Sequence, residues 1–161
     1  MDKKRKRTES RKKIQTAVVE LLKDHELHDL KVTTICKKAQ INRSSFYDNY
    51  TDIYDLIDKL REYLVSEYVR IQEDMEEPSF SNLLQHVKEH QELYRLFFKL
   101  NLQNGIADRF VNSKKEQGTN YYDKIFFRNG IVAVIDEWLK NDCLEPVDDL
   151  VKVIQTHLHS S

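Results

Sequence analysis

The stretch 33–50, "TTICKKAQINRSSFYDNY", decides how the rest of the chain is read. Two apolar patches, Ile35/Cys36/Ala39 and Ile41/Phe46/Tyr50, flank the polar run Asn42, Arg43, Ser44, Ser45. A helix near 33–39, a turn at "QIN" and a helix near 43–49 make a helix-turn-helix. In such a unit the second helix enters the major groove of DNA. One face must therefore be short and polar while the other holds the helix in place. Arg43 offers two donors to guanine O6 and N7. Asn42, Ser44 and Ser45 complete the polar face, and the small serines let the helix sit close. Ile41 and Phe46 serve as the mount. The Tyr47 phenol suits a backbone phosphate, as do Thr33 and Thr34 beside the N–H groups that open the preceding helix.

Outward from this stretch, the chain reads as helical. Its 161 residues include three Gly and two Pro, too few turn formers for a sheet protein. Ile14, Ala17, Val18, Leu21 and Leu22 share one helical face, with Thr8 or Ser10 as the expected cap. Thr51 or Asp52 opens a long helix striped by Ile53, Leu56, Ile57, Leu60, Leu64 and Ile71. Pro78 breaks the pattern, Ser79 or Ser81 caps the next helix, and a joint falls near His90. A polar region around 101–120 separates this part from an apolar helix over 121–142, and Pro146 opens the last helix. The expected fold is all-α with about nine helices. It comprises a basic arm (1–7), a three-helix DNA-binding domain (8–52, helix-turn-helix near 31–50) and a helical effector and dimerisation bundle (53–161).

Charge supports the same division. Residues 1–50 carry 13 Lys and Arg against 7 Asp and Glu, a net +6, whereas 51–161 carry 13 against 20, a net −7. A basic first third suits a polyanion, and Lys4, Arg5 and Arg7 in the arm suit the DNA backbone or minor groove. No apolar segment follows the basic start and no apolar run reaches the ~18 residues of a membrane span. Cys36 and Cys143 lack CxxC spacing and read as reduced core thiols. The expected location is cytoplasmic, with no membrane partner.

The run "INRSSFYDNYTDIYDLI" resembles the TetR family of bacterial transcription regulators, and the resemblance extends over about 45 residues upstream and downstream of the turn. Ile41, Ser45, Phe46, Tyr47, Tyr50 and Leu56 stand where that family's pattern places a polar recognition helix, its terminal aromatics and the link to a long helix. The resemblance implies a homodimeric regulator, more often a repressor, with an N-terminal three-helix reader of an operator and a C-terminal helical part that senses a ligand. Three positions depart from the pattern. Lys31 replaces the usual Thr, Gln40 the usual turn Gly and Ile53 the usual Lys. These departures leave a second function class open, a helical interaction protein of the same fold that acts through a protein partner.

"FFRNGIVAVIDEWLKNDCLEPVDDLVKVI" is similar to the dimerisation helices of one branch of that family. Its pattern agrees, since a Gly within a helix costs about 1 kcal/mol against Ala unless close packing requires it. Ile125, Gly130, Ile131, Val134, Ile135 and Trp138 form one broad face. Val147, Leu150, Val151, Ile154 and Leu158 form another, and two helices from each of two chains would make a four-helix interface. Tyr94, Phe97, Phe98 and Tyr122, with Phe80, Phe110, Tyr121 and Phe126 nearby in sequence, are candidates for an effector cavity, though such spacing also suits plain core. "HVKEH" sets His86 and His90 one helical turn apart, matching a zinc-peptidase spacing, but no third ligand is evident. No cofactor, metal or enzymatic activity is expected, because no Gly-rich phosphate loop or nucleophile motif is present.

Overall fold

The computed structural model describes residues 2–73, 79–113 and 120–158, with the side chains of 109–113 and 158 excepted. Pro78 and the side chains of Phe110 and Leu158 thus lie outside the described residues. Among the described residues there are nine α-helices, one 3₁₀ turn and no strand. The chain divides into two compact units, Met1–Glu67 and Tyr68–Ser161.

In the first unit, α1 (Lys3–Asp24) packs on α2 (Val32–Ala39) and α3 (Arg43–Tyr47), and α2 packs on α3. The start of α4 (Ile53–Glu73) completes the unit. Ile14, Val18, Ile35, Phe46 and Leu56 have no exposed surface. Helix α1 starts earlier than its sequence pattern suggested. Asp2 is the cap, its Oδ1 accepting the Lys4 N–H at 3.2 Å. Lysine and arginine are good helix formers, so nothing halts the helix between Asp2 and the apolar face. Thr8 and Ser10 do not cap. Their hydroxyls donate back to the carbonyls of Lys4 and Lys6 at 3.0 and 2.9 Å. Lys4, Arg5 and Arg7 therefore lie on exposed helical turns.

The join between α2 and α3 is set by Gln40, which sits in the left-handed region at φ 55°, ψ 47°. Its N–H donates to the Lys37 carbonyl at 3.3 Å, and the Ile41 N–H donates to the Cys36 carbonyl at 3.1 Å. These paired bonds close the end of α2 as a Schellman turn and aim the chain into α3.

The second unit contains α5 (Phe80–Glu89), α6 (Gln91–Lys99), α7 (Asn104–Ser113), α8 (Tyr121–Lys140) and α9 (Val147–Leu158). Helix α5 packs on α6 and α9, and α8 packs on α6 and α7. Ser79 caps α5, and His90 (φ −124°, ψ 43°) makes the expected joint with α6. The region read as polar holds a helix, α7, in whose first turn Ile106 and Ala107 are fully buried. Their signal is too short to stand out against the surrounding Asn and Gln. A capping box of Asn120 and Asp123 opens α8. At its far end Arg95 Nη2 donates to the Leu139 carbonyl and to Asp142 Oδ1, both at 2.8 Å, and Trp138 Nε1 donates to the Glu145 carbonyl at 3.1 Å. No helix among the described residues is long and apolar enough to cross a membrane.

Candidate nucleic-acid interface

Helix α3 has only five residues, and a helix that short does not stand alone in water. Two devices hold it. From below, Phe46 is fully buried, its ring 5.3 Å from that of Tyr47 and 5.6 Å from that of Tyr50. From the front, Asn42 caps it, Oδ1 accepting the Ser45 N–H at 2.9 Å and the Ser44 hydroxyl at 2.8 Å. Asn49, 4% exposed, closes the other end by donating from Nδ2 to the Ser45 carbonyl at 2.9 Å.

This support leaves Arg43, Ser44 and Tyr47 on the exposed face of α3, with Ser45 half-buried beside them. The Arg43 guanidinium lies over the Tyr47 ring, 5.9 Å from its centroid, and Nη2 donates to the Tyr47 hydroxyl at 3.4 Å. The two long side chains restrict one another before any ligand arrives, which lowers the entropy lost on binding. Thr33 and Thr34 are exposed in the first turn of α2. Lys31, at the N-cap of α2, makes no capping bond with its side chain. Lys38 is held by Glu20 at 3.0 Å, while Lys37 is exposed. Burial pushes the Cys36 thiol up despite Arg43 nearby, which suits a packing role.

Tyr54 is 77% exposed in the first turn of α4. It lies off the apolar stripe of its helix, formed by Ile53, Leu56, Ile57 and Leu60. The carboxylates of Asp52 and Asp55 take N–H groups at this helix start, from Asp55 at 2.8 Å and from Thr51 at 2.9 Å respectively.

The other proposed sites fall in the second unit. Of the face assigned to dimerisation, Ile131, Ile135, Trp138 and Ile154 are buried within the chain's own core. Ile125, Val134 and Val151 are half-buried, and Gly130 is exposed. The outward face of α8 instead presents Tyr122 (72% exposed), Phe126 (70%), Gly130 and Ala133. Of the residues assigned to a ligand cavity, Tyr94 and Phe97 are buried together with ring centroids 6.1 Å apart. Phe98 is half-buried, and Tyr122 points into solvent beside Tyr121. Tyr68 joins Tyr94 and Phe97 at 6.3 and 5.4 Å and donates its hydroxyl to the Ile106 carbonyl at 3.1 Å. Its place one turn after Leu64 continues the stripe of α4, a signal present in the sequence. His86 and His90 stack with ring centroids 4.3 Å apart, and no group of three or more His, Cys, Asp or Glu suited to a metal occurs among the described residues.

No family model and no curated protein matches the chain. Solved structures do. The chain is similar to the fatty acid degradation regulator FadR from Bacillus halodurans, at 19% identity over 91% of this chain and 92% of that one, with a TM-score of 0.57. It is also similar to a transcriptional regulator FadR from Bacillus subtilis in complex with stearoyl-CoA, at 20% identity over 92% and 97%, with a TM-score of 0.54. This chain has the fold of a helical transcriptional regulator. The likeness spans nearly the whole of each chain, so it covers the bundle as well as the helix-turn-helix.

Proposed function

We propose that the protein is a TetR-like, sequence-specific DNA-binding regulator that works as a homodimeric repressor. The observation that carries this reading is the construction of α3. Buried Phe46 and Asn49, with the Asn42 cap, hold the helix so that Arg43, Ser44 and Tyr47 lie on one exposed face. In this reading Arg43 discriminates bases, Ser44 and Ser45 line the close approach, and Asn42 acts mainly by holding the helix start. Tyr47, Thr33, Thr34 and the α1 residues Lys4, Arg5 and Arg7 meet phosphates.

Gly130 supports the dimer. A Cβ built there meets nothing within 4 Å, so packing inside the chain does not explain a glycine in mid-helix. A second copy of α8 approaching over Gly130 and Ala133, flanked by Phe126, does explain it. We further propose a small-molecule effector bound in the second unit. The stearoyl-CoA bound to the Bacillus subtilis regulator makes that compound the first to try.

Selection of bound DNA from a random pool with the purified protein tests the reading. The expected product is a palindromic site with half-sites on the order of 34–36 Å apart or longer. Arg43→Ala should then lose about 1–3 kcal/mol of affinity and relax one base position. Failure to enrich any sequence, together with a salt-independent complex with a protein, would favour the interaction-protein alternative.

A further inference from the structure

The second unit buries a histidine that is satisfied on one side only. His86 on α5 is 8% exposed. Its Nδ1 lies 2.6 Å from the hydroxyl of Tyr94, a residue with no exposed surface. Its Nε2 is buried and has no hydrogen-bond partner. Proton counting assigns the tautomer. Burial holds the Tyr94 phenol protonated, and it holds the imidazole of His86 neutral with help from the neighbouring His90. An Nδ1–H donating to the phenol oxygen would leave both the phenol hydrogen and Nε2 unpaired, whereas a phenol donating to Nδ1 leaves only one group unpaired, so the second arrangement is favoured and the ring's own proton sits on Nε2. The result is a buried N–H without an acceptor, which folded proteins rarely leave.

The surroundings say what kind of acceptor fits. Tyr94 stands edge-on to Tyr68, which contacts Phe97, and the Tyr68 hydroxyl is already taken by the Ile106 carbonyl. Leu83 and Val87, in the turns of α5 on either side of His86, are fully buried. A single unpaired donor among apolar and aromatic neighbours matches a ligand that is mostly hydrocarbon and carries one oxygen acceptor. We propose that His86 Nε2–H is the polar anchor of an effector site in the second unit, donating to the acyl oxygen of a long-chain thioester or fatty acid. Tyr94 acts as a positioning residue that fixes the imidazole tautomer. The proposal rests on the effector reading above and extends it to a named atom and ligand class.

The test uses the full chain and three probes: stearoyl-CoA, stearate, and the S-stearyl thioether of CoA, which lacks the acyl oxygen. The wild type should bind the thioester or the acid at least roughly ten-fold more tightly than the thioether, because the thioether leaves the buried donor unpaired. Whichever of the two binds identifies the source of the acyl group. Nitrogen-15 spectra of the imidazole should show the Nε2–H tautomer in the free protein and a shift of Nε2 on binding. The double variant His86→Phe/Tyr94→Phe removes both polar partners at once, so it should stay folded. It should bind thioester and thioether alike. Equal binding of the oxygen-bearing and oxygen-lacking probes by the wild type overturns the proposal. So does discrimination retained by the double variant, or no binding of any of the three. DNA selection with the ligand-free protein reads the other proposal separately, since the double substitution leaves the first unit unchanged.

Discussion

Gln40 holds a backbone conformation that a side chain makes costly. At φ 55° and ψ 47° an L-residue brings its Cβ against the following carbonyl, a cost of roughly 1–2 kcal/mol. Glycine would remove that cost but would return about 0.4–1 kcal/mol through the greater freedom of the unfolded chain. Gln40→Gly should therefore stabilise the first unit by about 0.5–1 kcal/mol. Gln40→Ala, which keeps the Cβ, should change little. The side chain is exposed, so lost packing does not complicate the comparison. The assay must report on the correct unit. The chain's one tryptophan, Trp138, lies in the second, so its fluorescence follows the wrong transition. Hydrogen exchange of the amides in 33–50 reads the first unit directly, above all the Ile41 N–H that bonds the Cys36 carbonyl. Slower exchange in the glycine variant alone is the expected result. Equal protection in the glycine and alanine variants, or faster exchange with glycine, would refute the claim that this turn is strained.

Three further outcomes follow from the same structure. Asn42→Ala should cost about 1 kcal/mol through loss of the cap and should fray α3, seen as faster exchange of the Ser45 amide; unchanged exchange would remove the cap from the account. If the chain pairs over α8 as proposed, the wild type should sediment as a dimer and Gly130→Leu as a monomer with its helical signal intact; a monomeric wild type or an unchanged dimer would refute pairing over Gly130. The third concerns pH. His86 is held below the usual imidazole range by burial first and by His90 second, with Glu89 opposing them. As pH falls below about 6.5 the unfolded chain takes up a proton that the folded chain still refuses. Stability of the second unit should therefore decline through that window until the folded value is passed. Urea midpoints followed at Trp138 should show this decline in the wild type and a shallower one in His86→Phe; identical slopes would assign the effect to other groups.

Much of the helix-turn-helix was legible in the sequence because its signals are local. The polar run Asn42 to Ser45 lies between residues that the structure buries, and Gln40 stands at a position whose geometry the Schellman turn dictates. The role of Asn42 was less legible. Residue type alone marks it as a base contact or a cap, and only the two bonds to its Oδ1 commit it to capping. The start of α1 was misplaced for a related reason. Thr8 and Ser10 are good caps by type, but Asp2 lies earlier and the intervening lysines and arginines allow the helix to continue.

Helix α8 marks where sequence reading runs out. Its apolar residues surround the helix, and periodicity states only that more than one face is covered. It does not state which face meets the chain's own core and which awaits another surface. The structure separates them: Ile131, Ile135 and Trp138 pack inward, while Tyr122, Phe126, Gly130 and Ala133 remain outside. An aromatic that is 70% exposed beside an uncrowded mid-helix glycine lacks an explanation within one chain. The inward residues were the ones a hydrophobicity argument would choose for an interface, since they are the most apolar. Burial gives Ile131, Ile135 and Trp138 to the chain's own core and leaves Gly130 exposed. In the homodimer proposed, a second copy would reach the residues the fold has not already used, and Gly130 is the position where a substitution tests that proposal with least effect on the core.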